Sequence, residues 1–265
     1  MLEILPVRGR RDFRRFIDYA YTRNAVDPNW VPPLRLGEQD RLNPKKNPFF
    51  AHADVELFIA VRDGRVAGRV AAIDDRLHNE THGDNLAMFG LFEADDVESS
   101  RTLLARAEAW AGSRGRSAMR GPINPSMNDN CGLLVSGFDT KPMLLMPHNP
   151  PEYAGFIEAS GYAKVKDLYA WIYELGQPVP EVVRRLAERR RERLALTIRT
   201  IRMHEFLRDA DRLRELYAGA WGKNWASSSE GPLPSVVARK IRRRYRAATV
   251  GSGSSTGSSG RLPSA

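Results

Sequence analysis

The side chains best suited to chemistry collect in one stretch, residues 119–153, MRGPINPSMNDNCGLLVSGFDTKPMLLMPHNPPEY. Asn124, Ser126, Asn128 and Asp129 set donors and acceptors beside one another, the pattern of a wall that grips a polar substrate. Cys131 is a candidate nucleophile, but a thiol needs a base to become a thiolate, and no histidine is close in sequence. His148 and His52 can supply one only if the fold brings them there. In its apolar setting Cys131 reads more readily as a small buried residue. His78 and His82, four apart, have a spacing seen in metal sites, yet no third ligand accompanies them, so no metal is expected.

These residues sit among Pro122, Pro125, Pro142, Pro147, Pro150 and Pro151. Proline fixes φ and Asx side chains bond local backbone, so the stretch reads as a loop of specified shape. Leu133, Leu134, Val135, Phe138 and the run 143–146 give it too much apolar surface for disorder. Two readings stand: the folded wall of a pocket, or a well-packed crossover without function.

The 265 residues and 42% hydrophobic content suffice for one large domain or two small ones. A single cysteine leaves no intrachain disulfide and fits a reducing cytoplasm, the expected location. No apolar run reaches the roughly 18–20 residues that span a bilayer, and the start lacks the apolar stretch of a secretory signal. The net charge of +9 is lopsided: residues 226–265 contribute +6 and residues 1–225 only +3. Nucleic acid is therefore expected only through that tail.

Around the loop, alternation and spacing predict a strand at 2–7 and a helix begun by Asp12 through Phe13, Phe16, Ile17 and Tyr21. A second short helix follows Pro32 and Pro33. VELFIAV (55–61) and VAGRVAAID (66–74) form a hairpin across Asp63-Gly64, with Gly68 marking a bulge or a close backbone approach. LAMFGLF (86–92) is a third strand. A helix carries Leu103, Leu104, Ala107 and Trp110 and ends near 112–115; 119–123 is a strand, 153–159 a helix stopped by Gly161, and 166–175 an aromatic strand. That alternation is α/β with a mixed sheet. EVVRRLAERRRERL (181–194) is a charged helix whose arginines read as a solvated face.

The order of elements, with DPNWVPPLR (27–35), NPFFAHADVELFIAVRDGRVAGRVAAIDD (47–75) and NDNCGLLVSGFDTKPMLLMPHNPPEY (128–153), resembles bacterial GNAT-like proteins of the N-acetyltransferase superfamily, built from two tandem domains. The resemblance implies a mixed, mostly antiparallel sheet flanked by helices in a first domain, 1–175. A linker and charged helix, 176–194, would follow, then the start of a second domain, 195–225, with a strand at 196–202 and a helix at 209–225. Residues 226–265 leave the pattern: 251–260 hold only Gly, Ser and Thr, and the expectation is an out-of-frame end or a basic tail that binds anions. Leu213, Leu216, Tyr217, Trp221 and Trp225 of the partial domain would then seek the first domain, a second copy, or aggregation.

The resemblance further implies acyl transfer from acetyl-CoA, or another acyl-CoA, to an amine. A splayed strand would offer backbone groups to the pantetheine arm, here at Phe89, Gly90, Leu91 and Phe92. The next turn and helix start would hold the diphosphate, with Arg101 as the nearest cation. Tyr153 would act as general acid toward the leaving thiolate, and Asn124, Ser126, Asn128 and Asp129 would line the acceptor pocket. The turn at 93–100 departs from the pattern. It has no glycine and carries Glu93, Asp95, Asp96 and Glu98, which repel a diphosphate. The alternative is a non-catalytic GNAT-like module that lacks a working diphosphate loop.

Overall fold

A computed structural model describes residues 1–126, 129–172, 174, 176–195, 197 and 199–221, with only the backbone at 217, 218 and 221. Five strands form one sheet in the order β1 (Leu2–Pro6), β2 (Ala53–Arg62), β3 (Arg65–Asp75), β4 (Leu86–Ala94), β5 (Ala118–Arg120). The first four run antiparallel, and β5 lies parallel to β4. A parallel neighbour needs a crossover, supplied by helix α4 (Val97–Ser113). The fold class is α/β with a mostly antiparallel sheet flanked by helices.

Both faces of the sheet are covered, which is why β2 and β3 read as nearly continuous apolar runs. Ile59, Ala71 and Ile73 face helix α1 (Gly9–Asn24), whose Phe16 and Ile17 pack on them. Phe58, Ala60, Val70 and Ala72 face Leu103, Leu104 and Ala107 of α4 and Ile157 of helix α5 (Tyr153–Ala159). Asp63 and Gly64 take φ of 50° and 80°, as a two-residue hairpin turn requires. Gly68 fulfils its expectation of close approach: a Cβ there would meet Leu103 Cδ1 at 2.6 Å and the Glu93 carbonyl at 2.9 Å.

Several sequence expectations need correction. Helix α1 starts earlier, at Gly9. Asp12 lies inside its first turn and accepts a hydrogen bond from the Arg8 amide at 3.3 Å. A helix α3 (Arg76–His82) stands where none was expected. Asp75 caps it by accepting from the His78 amide, and Gly83 closes it in the left-handed region. The second short helix, α2, is Arg35–Arg41. The described residues of 166–175 form no strand, and Tyr169, Trp171 and Ile172 are exposed. Apolar aromatic sequence favours a strand only where a neighbouring edge is free to pair. For the same reason the described residues of 196–202 form no strand. The charged helix α6 (Glu181–Arg193) buries no residue, and helix α7 (Phe206–Trp221) follows. Residues 222–265, including Trp225 and the basic tail, lie outside the described residues.

Candidate functional site

The site is built on the far half of β4. Its ladder with β5 ends at Met88↔Arg120. Against β3, two steps from Arg69 to Ala71 match three from Glu93 to Gly90, so β4 carries a bulge. Leu91 sits in it at φ 49°, an unusual backbone for a non-glycine residue. A short hairpin of β6 (Ile123–Asn124) and β7 (Asn130–Cys131) then crosses beside β4. A Cβ at Gly90 would overlap the Ile123 carbonyl, so only glycine permits the approach.

Main-chain groups on this half of β4 are occupied by side chains. The Leu91 amide donates to Asn124 Oδ1 at 2.5 Å, and the Ala94 amide to the Tyr153 hydroxyl at 3.2 Å. Arg23 Nε donates to the Ala94 carbonyl at 3.3 Å.

Two polar clusters flank this edge. In the first, Glu93 accepts from the Tyr153 hydroxyl at 2.7 Å and from Asn24 Nδ2 at 3.2 Å, with Arg69 at 3.5 Å. Arg69 is buried and donates to the Phe16 carbonyl. Burial, with the neighbouring Glu93 carboxylate, pushes the Tyr153 phenol far above its ordinary value. Tyr19 behaves alike, buried and donating to Asp95 at 2.7 Å. In the second cluster Arg41 pairs with the buried Glu38 and reaches the Asn124 carbonyl at 3.5 Å. Ser126 donates to Asp129 at 3.1 Å. Burial raises the Asp129 carboxyl, partly opposed by Arg41. A carboxylate with a raised pKa is a stronger base.

The expected site residues therefore divide. Asn124, Ser126 and Asp129 lie together beside β4, whereas Asn128 lies outside the described residues. Tyr153 reaches the same edge, but its hydroxyl already donates to Glu93 and accepts from Ala94, so it has no proton directed at a leaving group. Cys131 packs against the α1-side core, and burial pushes its thiol up to about 11, which keeps it protonated near neutrality. His148 bonds Asp27 at 2.7 Å and His52 bonds Asp75 at 2.9 Å, so both candidate bases are engaged elsewhere. His78 and His82 stack at 4.6 Å, and no group of three metal-ligating side chains exists among the described residues. Glu93, counted in the sequence only as a repelling charge, is the hub of the first cluster. Asn24, Glu38, Arg41 and Arg69 went unnoticed as site residues. The available signal was a charge inside an apolar strand, Arg69 within VAGRVAAID.

The residues expected to hold coenzyme A are engaged with the protein's own groups. Phe89 and Phe92 are buried ring against ring, and Gly90 and Leu91 face the β6 strand and Asn124. Arg101 turns away to the Ala159 carbonyl at 3.1 Å. At the start of α4, Asp96 caps the Ser99 amide at 2.8 Å, occupying a donor that a diphosphate would use. Arg62, from β2, neutralises Asp96 and Glu98 instead of facing a ligand. Its guanidinium holds the Asp96 carboxyl well below the usual carboxylate range.

No family model matches the chain. It is 39% identical over 226 residues to a protein of Caulobacter vibrioides named bacterial ceramide synthase, covering 84% of this chain and 59% of that one. It is 35% identical over 219 residues to Protein YghO of Escherichia coli, covering 82% and 55%. The chain thus spans little more than half the length of the curated relatives it matches. Among solved structures, a tandem GNAT protein from the clavulanic acid biosynthesis pathway overlaps 61% of this chain and 43% of its own at 19% identity and TM-score 0.40. An aminoglycoside acetyltransferase from an uncultured soil metagenomic sample overlaps 66% and 95% at 13% identity and TM-score 0.39. Overlaps at that level add no weight of their own. The mostly antiparallel sheet flanked by helices is what the resemblance of the sequence implied, and the β4–β5 ladder stops at Met88. The chain is an α/β protein with a mostly antiparallel sheet flanked by helices.

Proposed function

We propose that the chain serves acyl transfer from an acyl-CoA, acetyl or longer, to the nitrogen of an amine, and that the acceptor is a long-chain amino alcohol. The observation that carries this reading is the half-buried carboxylate of Glu93 on the far half of β4, tied to Tyr153, Asn24 and Arg69. A carboxylate held there can take a proton from an ammonium. The relative named bacterial ceramide synthase supports the choice of acceptor, because a ceramide is the amide of a long-chain amino alcohol. The donor's diphosphate is held away from the β4–α4 turn in this reading, since that turn does not suit it.

Incubation with acyl-CoA donors of several lengths and a sphingoid amine, followed by mass spectrometry of the lipid product, tests the proposal. Amide is expected from the wild type, with a drop of about a hundredfold or more in Glu93→Gln, assayed at a temperature where the variant is still folded. Absence of amide with every donor sinks it.

The second reading, a non-catalytic GNAT-like module, is favoured by one observation: Asn124 and Tyr153 already bond the β4 amides. Calorimetric titration with acetyl-CoA separates the two. No heat at millimolar ligand, together with no amide, selects the module.

A further inference from the structure

A surface pocket of about 680 Å³ opens on the solvent side of α1, lined by Arg10, Arg11, Arg14, Arg15, Arg65 and Thr22. Arg11, Arg14, Arg15 and Thr22 recur at three- and four-residue steps or their sum, so they share one stripe of the helix. Arg65 joins them from the start of β3.

The charge here is not balanced. Arg15 has a loose partner in Asp12 at 3.7 Å and reaches the Gly64 carbonyl. Asp18, on the pocket wall, is bound to Arg35. Arg10, Arg11, Arg14 and Arg65 make no ion pair among the described residues, and all four are exposed. Several other arginines of the sheet domain are paired instead. Arg23, Arg62, Arg69, Arg76, Arg114 and Arg116 each meet a carboxylate. Arg10, Arg11 and Arg14 also occupy the first two turns of α1, the positive end of its dipole, where like charges and the dipole both oppose them. An anion in the pocket would relieve both terms.

We infer that this pocket binds a phosphate-bearing anion with at least two negative charges. Guanidinium groups match phosphate oxygens in pairs, and several of them around one concavity favour a multivalent phosphate over a carboxylate. The neutral donors nearby are already engaged: the Thr22 hydroxyl bonds the Asp18 carbonyl at 3.2 Å, and the Tyr19 hydroxyl bonds Asp95. Recognition therefore rests on the arginines. A soluble diphosphate and the headgroup of an acidic phospholipid share this chemistry. The site is separate from the Glu93 cluster and stands whether or not the chain transfers acyl groups.

The test uses the full chain at fixed ionic strength. Inorganic pyrophosphate is titrated by calorimetry, and vesicles of phosphatidylglycerol in phosphatidylcholine are tested by co-sedimentation. The pocket variant Arg11→Gln/Arg14→Gln is compared with Arg189→Gln/Arg190→Gln on α6, which removes the same charge elsewhere. Pocket substitution is expected to weaken binding at least about tenfold, as charge-assisted hydrogen bonds would, with the α6 pair close to wild type. Loss confined to pyrophosphate assigns a soluble ligand, and loss confined to vesicles assigns a headgroup; loss of both assigns the phosphate group common to them. No binding of either probe by the wild type overturns the inference. Equal weakening by the two pairs does so too, because it marks diffuse net charge. Should the double variant melt early, Arg65→Gln alone carries the same expectation.

Discussion

Two side chains decide how the chemistry at β4 is read. Tyr153 is only 1% exposed, and its hydroxyl links the Glu93 carboxylate to the Ala94 amide. Tyr153→Phe leaves both partners short of a bond in a buried place. Urea denaturation is expected to show a loss of about 1–3 kcal/mol. Unchanged stability would mean the hydroxyl is not a structural link. Cys131 makes the opposite case. Burial pushes its thiol up to about 11, and thiolate is the reactive form. Modification by a thiol reagent is expected to be slow at neutral pH and to accelerate only as pH approaches that value. A fast reaction at neutrality would restore Cys131 as a nucleophile candidate.

At the scale of elements, the opening of β4 depends on a glycine and the α4 start on a cap. Gly90→Ala drives a methyl into the Ile123 carbonyl and is expected to cost about 3 kcal/mol, the upper part of the overpacking range. Gly112→Ala meets nothing within 4 Å inside α4 and is expected to stabilise by roughly 0.5–1 kcal/mol. Chemical denaturation of the two variants checks both signs together. Asp96 caps α4 and is ion-paired with Arg62, so its carboxyl is depressed in the folded protein. Its contribution is present above the unfolded carboxyl value of about 4 and is lost as pH falls below it toward the folded value. Asp96→Ala is expected to lower stability near neutrality by about 1 kcal/mol and to flatten the acid limb of a stability profile.

For the molecule as a whole, the sheet domain has its own two-sided core, whereas α6 buries nothing. Removal of residues 177–265 is therefore expected to shift the melting temperature of the sheet domain by no more than about 2 °C, less than a 1 kcal/mol change produces in a domain of this size. A larger drop would show that later segments support the sheet. Trp171 and Ile172 are 88% and 92% exposed, and Leu213 and Leu216 are exposed in α7. The self-association expected from such apolar surface is checked by sedimentation of the full chain against the shortened one.

By itself the sequence settled the elements whose information is local. Alternation and Asp-Gly marked the β2–β3 hairpin, 3.6-residue spacing marked α1 and α4, and Gly161 stopped α5. The acidic, glycine-free turn after β4 was legible too, because charge and missing glycine are properties of composition. Pairing was not legible. Residues 166–172 have strand composition and no strand to meet, and composition does not contain the neighbour. The Glu93 cluster joins residues from α1, β3, β4 and α5. Asn24 and Tyr153 are remote in sequence, and only folding brings them to one carboxylate. Whether a hydroxyl, thiol or guanidinium is free to react depends on the atoms that surround it, and those are set by tertiary packing.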